Sequence, residues 1–383
     1  MDALPPKPTV SFARARAAIA AEFSLLGAGA GIWAVHIPIV QARLSIDPAT
    51  IGLALLVFSI GSVATMPLTG ALAARHGSRP VTAALGIIFP FLPAFTILAP
   101  SLPLLCIGAF FFGAAMGGLD VAMNAQAAEY EVARGRPVMS SFHAFFSIGA
   151  LCGSAAGGAL IGAGYANGSA AVILSVVLLV TGIAAAPNLW PAPVSHRTGL
   201  RLALPHGRLL VLGTIAFLAF SAEGAVADWS ALYLAKVKGA DLAAAAYGYV
   251  AFSIVMVICR LSGDWAVVRL GPVATLAGGG LIIAAGILIA ILSPVAIGTS
   301  LGFAIVGLGA ANAAPVAFSA AARVPGVTTS VGAATVTTMG YAGALVFPAL
   351  LGFIGNTFGL SAALLIVVAM GLVVSAMSGV VRG

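Results

Sequence analysis

The chain has 383 residues, of which 61% are hydrophobic and 7% are charged, and its mean hydropathy is +1.14. One soluble core of ordinary proportions cannot bury so much apolar surface, so the composition excludes a soluble globular protein and predicts a membrane protein. The net charge of +7 does not indicate nucleic-acid binding, because the basic residues do not gather in one basic domain.

A membrane-spanning helix needs about 20 predominantly apolar residues. Charges, prolines and turn clusters divide the sequence into twelve stretches of this kind. The predicted spans are residues 16–41, 48–73, 80–99, 102–130, 137–162, 169–187, 208–235, 241–268, 272–292, 295–321, 327–354 and 360–381. Continuous apolar runs such as 170–186 exclude a β-barrel, whose strands alternate apolar and polar residues. The predicted fold class is an all-α membrane protein with twelve transmembrane helices.

The second half of the chain repeats the first at an offset of 194 residues, as from Phe58 to Phe252 and from Gly113 to Gly307. Many secondary transporters use two similar halves to build a substrate site that opens to one side at a time. The one long polar interruption contains three prolines and separates two groups of six spans. The predicted domains are an N-terminal six-helix bundle at 1–187, a cytoplasmic linker at 188–207 and a C-terminal six-helix bundle at 208–383.

Basic residues sort to one side of the predicted spans. Thirteen of the 17 Lys and Arg residues lie at the termini or in loops on that side, whereas Arg43, Lys236 and Lys238 lie opposite and Arg260 lies inside a span. The positive-inside rule therefore predicts that both termini are cytoplasmic. The excess of Arg over Lys, with much Ala and Gly, favours a bacterial source and hence the inner membrane.

No pattern in the sequence indicates reaction chemistry. Cys106, Cys152 and Cys259 all fall inside predicted spans without pairing or metal-ligand spacing. The sequence also lacks an ATPase signature and a nucleophile elbow. We therefore expect no metal, no cofactor and no enzymatic activity.

The end of helix 2 carries a loop motif in which a glycine and two basic residues follow a small-residue run. It reads Gly70-Ala-Leu-Ala-Ala-Arg75-His-Gly77-Ser-Arg79. It resembles the Gly-x-Leu-small-Asp-Arg-x-Gly-Arg-Arg signature of the major facilitator superfamily, with Ala74 at the acidic position. In the second half, Asp264 follows Arg260 by four residues and shares its helical face. The resemblance implies a cytoplasmic gate made of Arg75, Gly77, Arg79, Arg260, Asp264 and Arg269.

Helix 5 contains a glycine-rich run that resembles the pattern associated with antiporters of the same superfamily. The run is Gly149-Ala-Leu-Cys-Gly153-Ser154-Ala-Ala-Gly157-Gly158, and Pro348 holds the matching proline position in the second half. The alternative is that these glycines only let helices approach closely. An arginine that is usual in helix 4 of drug/proton pumps is absent, with Ala109 at its place.

A more specific resemblance comes from three segments, at 117–126, 136–143 and 223–230. Together they are similar to a bacterial subgroup of the superfamily that includes YbjJ and MosC, and the similarity spans nearly the whole chain. It implies two pseudo-symmetric six-helix bundles, alternating access, and a central cavity lined by helices 1, 4, 7 and 10.

Charged residues inside a span cost at least about 2.5 kcal/mol on insertion scales and therefore point to function. Glu223, near the middle of helix 7, is our first candidate for proton coupling, because a carboxyl group among apolar residues could load and release a proton. Asp120 and His143 are further candidates for proton coupling, and a structural tie between these two residues is the equal alternative. Asp120 shares a helical face with Asn124, four residues later, so we expect these two side chains to form a pair on helix 4. Asp228 is a further candidate for proton coupling, and it lies nearer the outer end of helix 7, where a solvated charge costs little. Glu22, near the cytoplasmic end of helix 1, is expected to pair with loop arginines.

The predicted substrate contacts are polar or aromatic side chains on the cavity-lining helices. They are Asn124, Trp33, His36, Gln41, Trp229 and Asn312. Such groups could hydrogen-bond a polyol-like or sugar-like solute. For His36 the alternative is a structural hydrogen bond, and for Trp229 it is an interfacial anchor.

We expect a secondary active transporter that moves a small organic solute with protons, as a monomer surrounded by membrane lipids and without nucleic acid. A drug or metabolite efflux antiporter and an uncoupled facilitator are the alternatives. A membrane enzyme or receptor is the least favoured interpretation.

Overall fold

A computed structural model describes residues 10–46, 48–165, 168–191, 206–240 and 242–382. In these ranges the regular secondary structure is helical, and twelve helices are long and apolar enough to cross a membrane. The predicted fold class and the predicted number of spans are therefore confirmed.

The twelve helices, α1 to α12, are Phe12–Leu44, Pro48–His76, Ser78–Ile97, Leu102–Arg134, Met139–Gly162, Ser169–Ala185, Gly207–Lys238, Leu242–Leu270, Pro272–Leu292, Ala296–Ala321, Thr329–Phe358 and Leu360–Met377. Several of these helices are longer than the predicted spans; α1, for example, covers Phe12–Leu44 where the prediction was 16–41. Residues at both ends of a helix can form hydrogen bonds that cap it, and these caps define where the helix begins and ends. Ser11 begins α1 by accepting a hydrogen bond from the Arg14 amide at 3.4 Å. Gly135, with φ of 68°, ends α4 in the left-handed conformation.

Two of the helices are interrupted. α3 consists of Ser78–Ile88 and Phe91–Ile97, and α10 consists of Ala296–Ala310 and Ala313–Ala321. Each break lies four residues before a proline, at Phe89 for Pro93 and at Ala311 for Pro315. Proline has no N–H for the carbonyl group four residues earlier, so the helical hydrogen bond is lost at both places.

The chain packs into two compact units. Unit 1 is Met1–Gly135, Phe145–Leu202 and Thr328–Val331, and unit 2 is Arg136–Ala144, Ala203–Val327 and Gly332–Gly383. The start of α5 thus belongs to unit 2 and the start of α11 to unit 1. The predicted linker at 188–207 lies largely outside the described residues, at 192–205, so its role as a domain boundary stays a prediction.

Both units contain the same close helix crossing. A Cβ on Gly113 of α4 would collide with the Phe58 carbonyl group of α2, and a Cβ on Gly307 of α10 would lie 2.5 Å from the Phe252 oxygen of α8. Real Cβ atoms do not approach that closely, so glycine is needed at both positions. The offset of 194 residues seen in the sequence is therefore also an offset between equivalent contacts.

Glycines from two helices interlock where α1 crosses α5 in unit 1. Gly149 and Gly153 of α5 face the backbone of α1, where their Cβ atoms would lie 2.7 Å from Ser24 Cα and from Ala28 Cα. In return Gly31 of α1 faces Ser154, whose amide nitrogen would be 2.8 Å from a Cβ there. Such small-residue crossings let helix backbones pack directly inside a membrane.

Matching cations cap two helix ends. Arg43 donates from its Nη2 to the carbonyl oxygens of Ile97, at 2.5 Å, and Ala99, at 2.8 Å. In unit 2, Lys238 Nζ donates to the oxygens of Ile291, at 2.9 Å, and Ser293, at 2.8 Å. A cation at the C-terminal end of a helix interacts favourably with its unsatisfied carbonyl groups. The repeat therefore includes polar contacts as well as glycines.

Large apolar side chains are exposed along the outer faces of the helices. On α6, for example, Val176, Val180 and Ile183 are each more than half exposed. Such a surface suits lipid as the solvent. Inside unit 2 the core includes Tyr233, Phe252 and other fully buried aromatic residues.

Candidate functional site

A buried ion pair joins α7 to α8 in unit 2. Arg260 Nη2 donates to Glu223 Oε2 at 3.0 Å, and the two side chains are 6% and 31% exposed. The sequence predicted that Glu223 lies among apolar side chains and grouped Arg260 with the cytoplasmic gate. The structure instead joins the two residues, because Arg260 reaches from α8 to α7 inside the spans.

The break in α10 supplies a second acceptor for Arg260. Pro315 leaves the Ala311 carbonyl group without its helical donor, and Arg260 Nε donates to that oxygen at 3.4 Å. The guanidinium group on α8 therefore contacts two other helices, α7 and α10. The proline in the sequence was the signal that could have predicted this contact.

Asp264, one turn after Arg260, binds the first turn of α5. Its two carboxylate oxygens accept from the backbone amides of Ser140, at 3.0 Å, and Ser141, at 3.2 Å. A carboxylate at a helix N-terminus satisfies free N–H groups and interacts favourably with the helix dipole. A residue of a gate must hold two helices together, and Asp264 joins α8 to α5 in this way. Its role in a gate stays a prediction.

Asn312 lies at the break in α10 and belongs to the same cluster. Its Oδ1 accepts from Ser140 Oγ at 2.7 Å. Gly263 makes this approach possible, because a Cβ there would collide with Asn312 Oδ1 and lie 2.7 Å from Ser140 Cβ. Asn312 Oδ1 already accepts a hydrogen bond from Ser140, so this oxygen has less capacity for the predicted substrate contact. Neither Ser140 nor Gly263 was identified from the sequence.

The predicted pair on α4 is present in unit 1. Asn124 Nδ2 donates to Asp120 Oδ1 at 3.0 Å and to the Asp120 carbonyl group at 2.8 Å. Asn124 is fully buried, and its Oδ1 has no hydrogen-bond partner among the described residues. That oxygen can accept a further hydrogen bond, and the predicted substrate contact of Asn124 stays a prediction. His143, the alternative partner proposed for Asp120, belongs to unit 2, where its ring lies 5.5 Å from that of Phe318.

Two further polar atoms on α1 have no hydrogen-bond partner among the residues that the structure describes. His36 Nδ1 lies 2.7 Å from the Ile32 carbonyl oxygen, which can only accept, so Nδ1 carries a proton and Nε2 is the acceptor of the neutral ring. Neither His36 Nε2 nor Trp33 Nε1 has a hydrogen-bond partner in the described part of the chain, and both side chains are buried. Together they offer one acceptor and one donor.

These α1 residues and Asn124 lie at different levels. Trp33 packs against Phe112, with ring centroids 6.2 Å apart. Phe112 and Asn124 are both on α4, and twelve residues of helix correspond to about 18 Å. A small solute therefore cannot contact Trp33 and Asn124 at the same time in this arrangement.

The remaining predicted site residues lie apart from these clusters. Asp228 is exposed, and Trp229 packs its ring 3.2 Å from where a Cβ on Gly352 would lie. Gln41 is half-buried near the C-terminal end of α1.

The predicted gate residues outside the Arg260 and Asp264 cluster lie at helix ends or, for Gly77, between two helices. Arg75 is exposed, Gly77 has φ of 88° between α2 and α3, and Arg79 donates to the Pro187 carbonyl group at 2.8 Å. Arg269 is exposed and lies 5.9 Å from the centre of the Trp265 ring.

Of the antiporter-like glycines, Gly149, Gly153 and Gly157 face α1, and a Cβ on Gly157 would lie 2.8 Å from Val35. Gly158 meets no described atom within 4 Å. Pro348 lies in α11, and its side chain is outside the described part of the structure. The contacts of the first three glycines are those of a close helix crossing, and an antiporter role stays a prediction.

A clamp that holds Trp190, after the last helix of unit 1, was not identified from the sequence. Gln126 accepts from the Trp190 amide at 2.9 Å and donates to the Trp190 carbonyl group at 3.1 Å. The Trp190 ring stacks on Phe12 with centroids 4.8 Å apart. The start of the predicted linker is thus fastened to α4 and α1.

The prediction for Glu22 is wrong. This residue is fully buried, and neither carboxyl oxygen has a hydrogen-bond partner within the described ranges. α1 turns the side chain into the unit instead of towards the loop arginines.

Twelve spanning helices, two halves with equivalent contacts and polar residues inside the spans define a secondary-transporter architecture. The sequence model of the Major Facilitator Superfamily matches residues 19–348. The chain therefore belongs to the Major Facilitator Superfamily and is a membrane transporter of small solutes rather than an enzyme.

Relatives cover most of the chain. An uncharacterised transporter of this superfamily from Yersinia pestis is 38% identical over 342 residues, which are 89% of each chain. Membrane protein MosC from Rhizobium meliloti is 34% identical over 366 residues, or 94% of this chain and 88% of MosC. A crystal structure of the E. coli fucose:proton symporter FucP matches with a TM-score of 0.82 at 18% identity, covering 96% of this chain and 98% of that one. This last likeness shows the fold alone.

Proposed function

We propose that the protein couples the movement of a small polar organic solute to protons by alternating access, as a monomer in a bacterial inner membrane with both termini cytoplasmic. The observation that carries the proposal is the Glu223–Arg260 pair. A carboxylate that is 31% exposed is held inside the spans by a guanidinium group that is only 6% exposed. The carboxylate is therefore the member of the pair that a proton can reach.

Protonation of Glu223 would remove this ion pair. Breaking a buried pair by removing one partner's charge costs about 3–5 kcal/mol, because the other charge stays buried. This free energy is large enough to shift a two-state equilibrium by more than a hundredfold. Since the pair joins α7 to α8, and Arg260 also contacts the broken α10, proton binding changes how firmly these helices are held together.

The polar atoms without partners in unit 1 support a hydroxyl-bearing solute. Asn124 Oδ1 and His36 Nε2 can accept, and Trp33 Nε1 can donate. A hydroxyl group both donates and accepts, so a polyol or sugar could satisfy either kind of atom. FucP, which shares the fold, is described as a fucose:proton symporter, and this agrees with the proposal.

The Asp264 contact supports a gate on the cytoplasmic side. We infer that its bonds to the Ser140 and Ser141 amides hold the first turn of α5 in place. Arg75, Gly77, Arg79 and Arg269 remain proposed members of this gate from the sequence motif alone.

The test begins with purified protein and a thermal-shift screen of sugars, polyols, amino acids, organic acids and lipophilic cations at two pH values. Any stabilising solute is then assayed for uptake into proteoliposomes under an imposed pH gradient. We expect uptake to follow the gradient in the wild type and in Ser262→Ala, a control on the exposed face of α8. In Glu223→Gln we expect solute binding without gradient-driven accumulation.

Three outcomes would contradict this proposal. Uptake that ignores the pH gradient would indicate an uncoupled facilitator. Solute movement in exchange for protons would indicate an antiporter. Gradient dependence that survives in Glu223→Gln and disappears in Asp120→Asn would assign the coupling to α4 instead of α7.

A further inference from the structure

Glu22 is a second ionisable group inside the spans that plays no part in the Glu223 pair. It lies ten residues into α1, about 15 Å along the helix from its start, and its side chain is 0% exposed. Its carboxyl group fills the space in front of Gly86 on α3, where a Cβ would lie 2.7 Å from Oε1 and 2.8 Å from Cδ. The missing side chain of Gly86 is what makes room for the acid.

No charge compensates Glu22 in the described part of unit 1. α6, which packs on both α1 and α3, carries no titratable residue. On the other helices that face α1, the titratable side chains are Arg79, Cys106, Asp120, Glu129, Tyr130, Glu131, Arg134, His143 and Cys152, and α1 itself carries Arg14, Arg16, His36 and Arg43. None of them bonds to Glu22, and neither of its carboxyl oxygens has a hydrogen-bond partner in the described part of the chain. An isolated carboxylate in such surroundings is far more costly than a neutral acid, so the group holds a proton here.

The scaffold does not require an acid at this position. In the second half the equivalent of Glu22 is Ala216, which is also fully buried, and the equivalent of Gly86 is Gly280. Both glycines make the same kind of contact, since the Gly86 oxygen faces Gly182 and the Gly280 oxygen faces Gly371. The glycine crossing is therefore kept without a carboxyl group beside it.

A purely structural role does not explain the acid either. A neutral carboxyl group still buries a donor and an acceptor without partners, and each such group costs about 1–3 kcal/mol. Buried polar atoms without partners are uncommon in folded proteins and call for an explanation. In Glu22 the cost would be recovered in another arrangement of α1, in which the carboxylate reaches water or a cation.

We propose that Glu22 is a proton-binding site of unit 1, which keeps its proton while α1 packs against Gly86 and releases it when that contact opens. The site is separate from Glu223, so it does not depend on which residue couples solute transport. Together with the proton binding proposed for Glu223, it would give the protein one proton-binding carboxyl group in each unit, at positions that the internal repeat does not relate.

The proposal can be tested by infrared difference spectroscopy on purified protein in lipid, at a neutral pH well above the ordinary glutamate pKa of about 4.3. The spectrum of the wild type minus that of Glu22→Gln should show the carbonyl band of a protonated carboxyl group. The matched control is the wild type minus Glu223→Gln, which should show carboxylate bands because Glu223 is paired with Arg260. Carboxylate bands in the Glu22 difference spectrum would overturn the proposal.

The coupling to the α1–α3 contact needs a second pair of proteins. Gly86→Ala would displace the carboxyl group, so the difference between Gly86→Ala and Gly86→Ala/Glu22→Gln should show carboxylate bands in place of the protonated band. An unchanged protonated band would show that proton binding does not depend on this contact. Gly158→Ala, which meets open space, should leave the Glu22 band as in the wild type.

A measurement on the wild type alone covers the case in which Gly86→Ala does not fold. On transfer to D₂O the Glu22 band should move to its deuterated position at the rate of the opening motion, because the proton leaves only then. A band that never moves would show that the proton is permanently buried, and the release part of the proposal would be wrong. None of these readouts uses transport, so they stand whether or not proton-coupled transport is observed.

Discussion

The two halves keep the same helix contacts and differ at the ionisable residues inside their spans. Gly113 meets the Phe58 carbonyl group in unit 1, and Gly307 meets that of Phe252 in unit 2. The charged residues have no such counterparts, since Glu223 corresponds to Gly29, Arg260 to Met66 and Asp120 to Ala314. The backbone architecture is thus independent of these charges. Because a charged residue inside a span is costly, we expect each of these three residues to serve a function that only its own half performs.

The largest expected difference between the halves is at Arg260. Replacing it with Gln removes the cation and leaves both the partly exposed Glu223 carboxylate and the buried Ala311 carbonyl group without this partner, so we expect the free energy of unfolding to fall by about 3–5 kcal/mol. Met66→Leu at the equivalent position keeps the volume and should cost less than about 1.5 kcal/mol. Thermal and denaturant unfolding in detergent would measure both. Equal losses would mean that the pair contributes no more than packing does.

A proline exchange tests the second difference, the break in α10. α4 is continuous where α10 is broken, and Val121 corresponds to Pro315. Val121→Pro should break α4 and cost about 3 kcal/mol or more. Pro315→Ala should allow the Ala311 carbonyl group its helical bond and slow amide exchange around the break. Unchanged exchange in Pro315→Ala would show that the break has a cause other than the proline.

Alanine at the shared glycines should affect both halves alike. Gly113→Ala and Gly307→Ala each force a Cβ against a carbonyl group, so we expect about 1–3 kcal/mol of destabilisation from overpacking in each. Gly158→Ala and Gly278→Ala, one per half, meet no described atom within 4 Å and should stabilise slightly, by about 0.5–1 kcal/mol, because alanine favours helix. A loss in only one half would show that the crossings are not equivalent in energy.

The smallest effects should come from the capping cations. Arg43→Gln and Lys238→Gln each remove a cation from a helix end, which is worth about 0.3–1 kcal/mol. Because the two caps share no partner, their effects should add in the double variant. Midpoints of urea unfolding for the two single variants and the double variant would show whether they do. A double variant no weaker than either single one would rule out independent caps.

Sequence patterns predicted the helices and their number because apolar length determines a span. They also placed Asp120 and Asn124 on one face, since that depends only on positions within one helix. The Glu223–Arg260 pair was missed because the two residues are 37 positions apart in the sequence and lie on different helices. Whether two side chains on different helices meet depends on how each helix is rotated about its axis, and composition does not give that rotation. Glu22 was misassigned for the same reason, because its direction depends on a gap at Gly86 that only the packed structure shows.

The fastening of Trp190 by Gln126 shortens the covalent connection between the last helix of unit 1 and α7. The chain is held at Trp190 and is helical again from Gly207, so the connection between these two points consists of residues 191–206. At about 3.5 Å per residue, it can reach at most about 56 Å. Replacing Gln126 would lengthen the connection without inserting a residue, because the anchoring point would move back towards the end of α6.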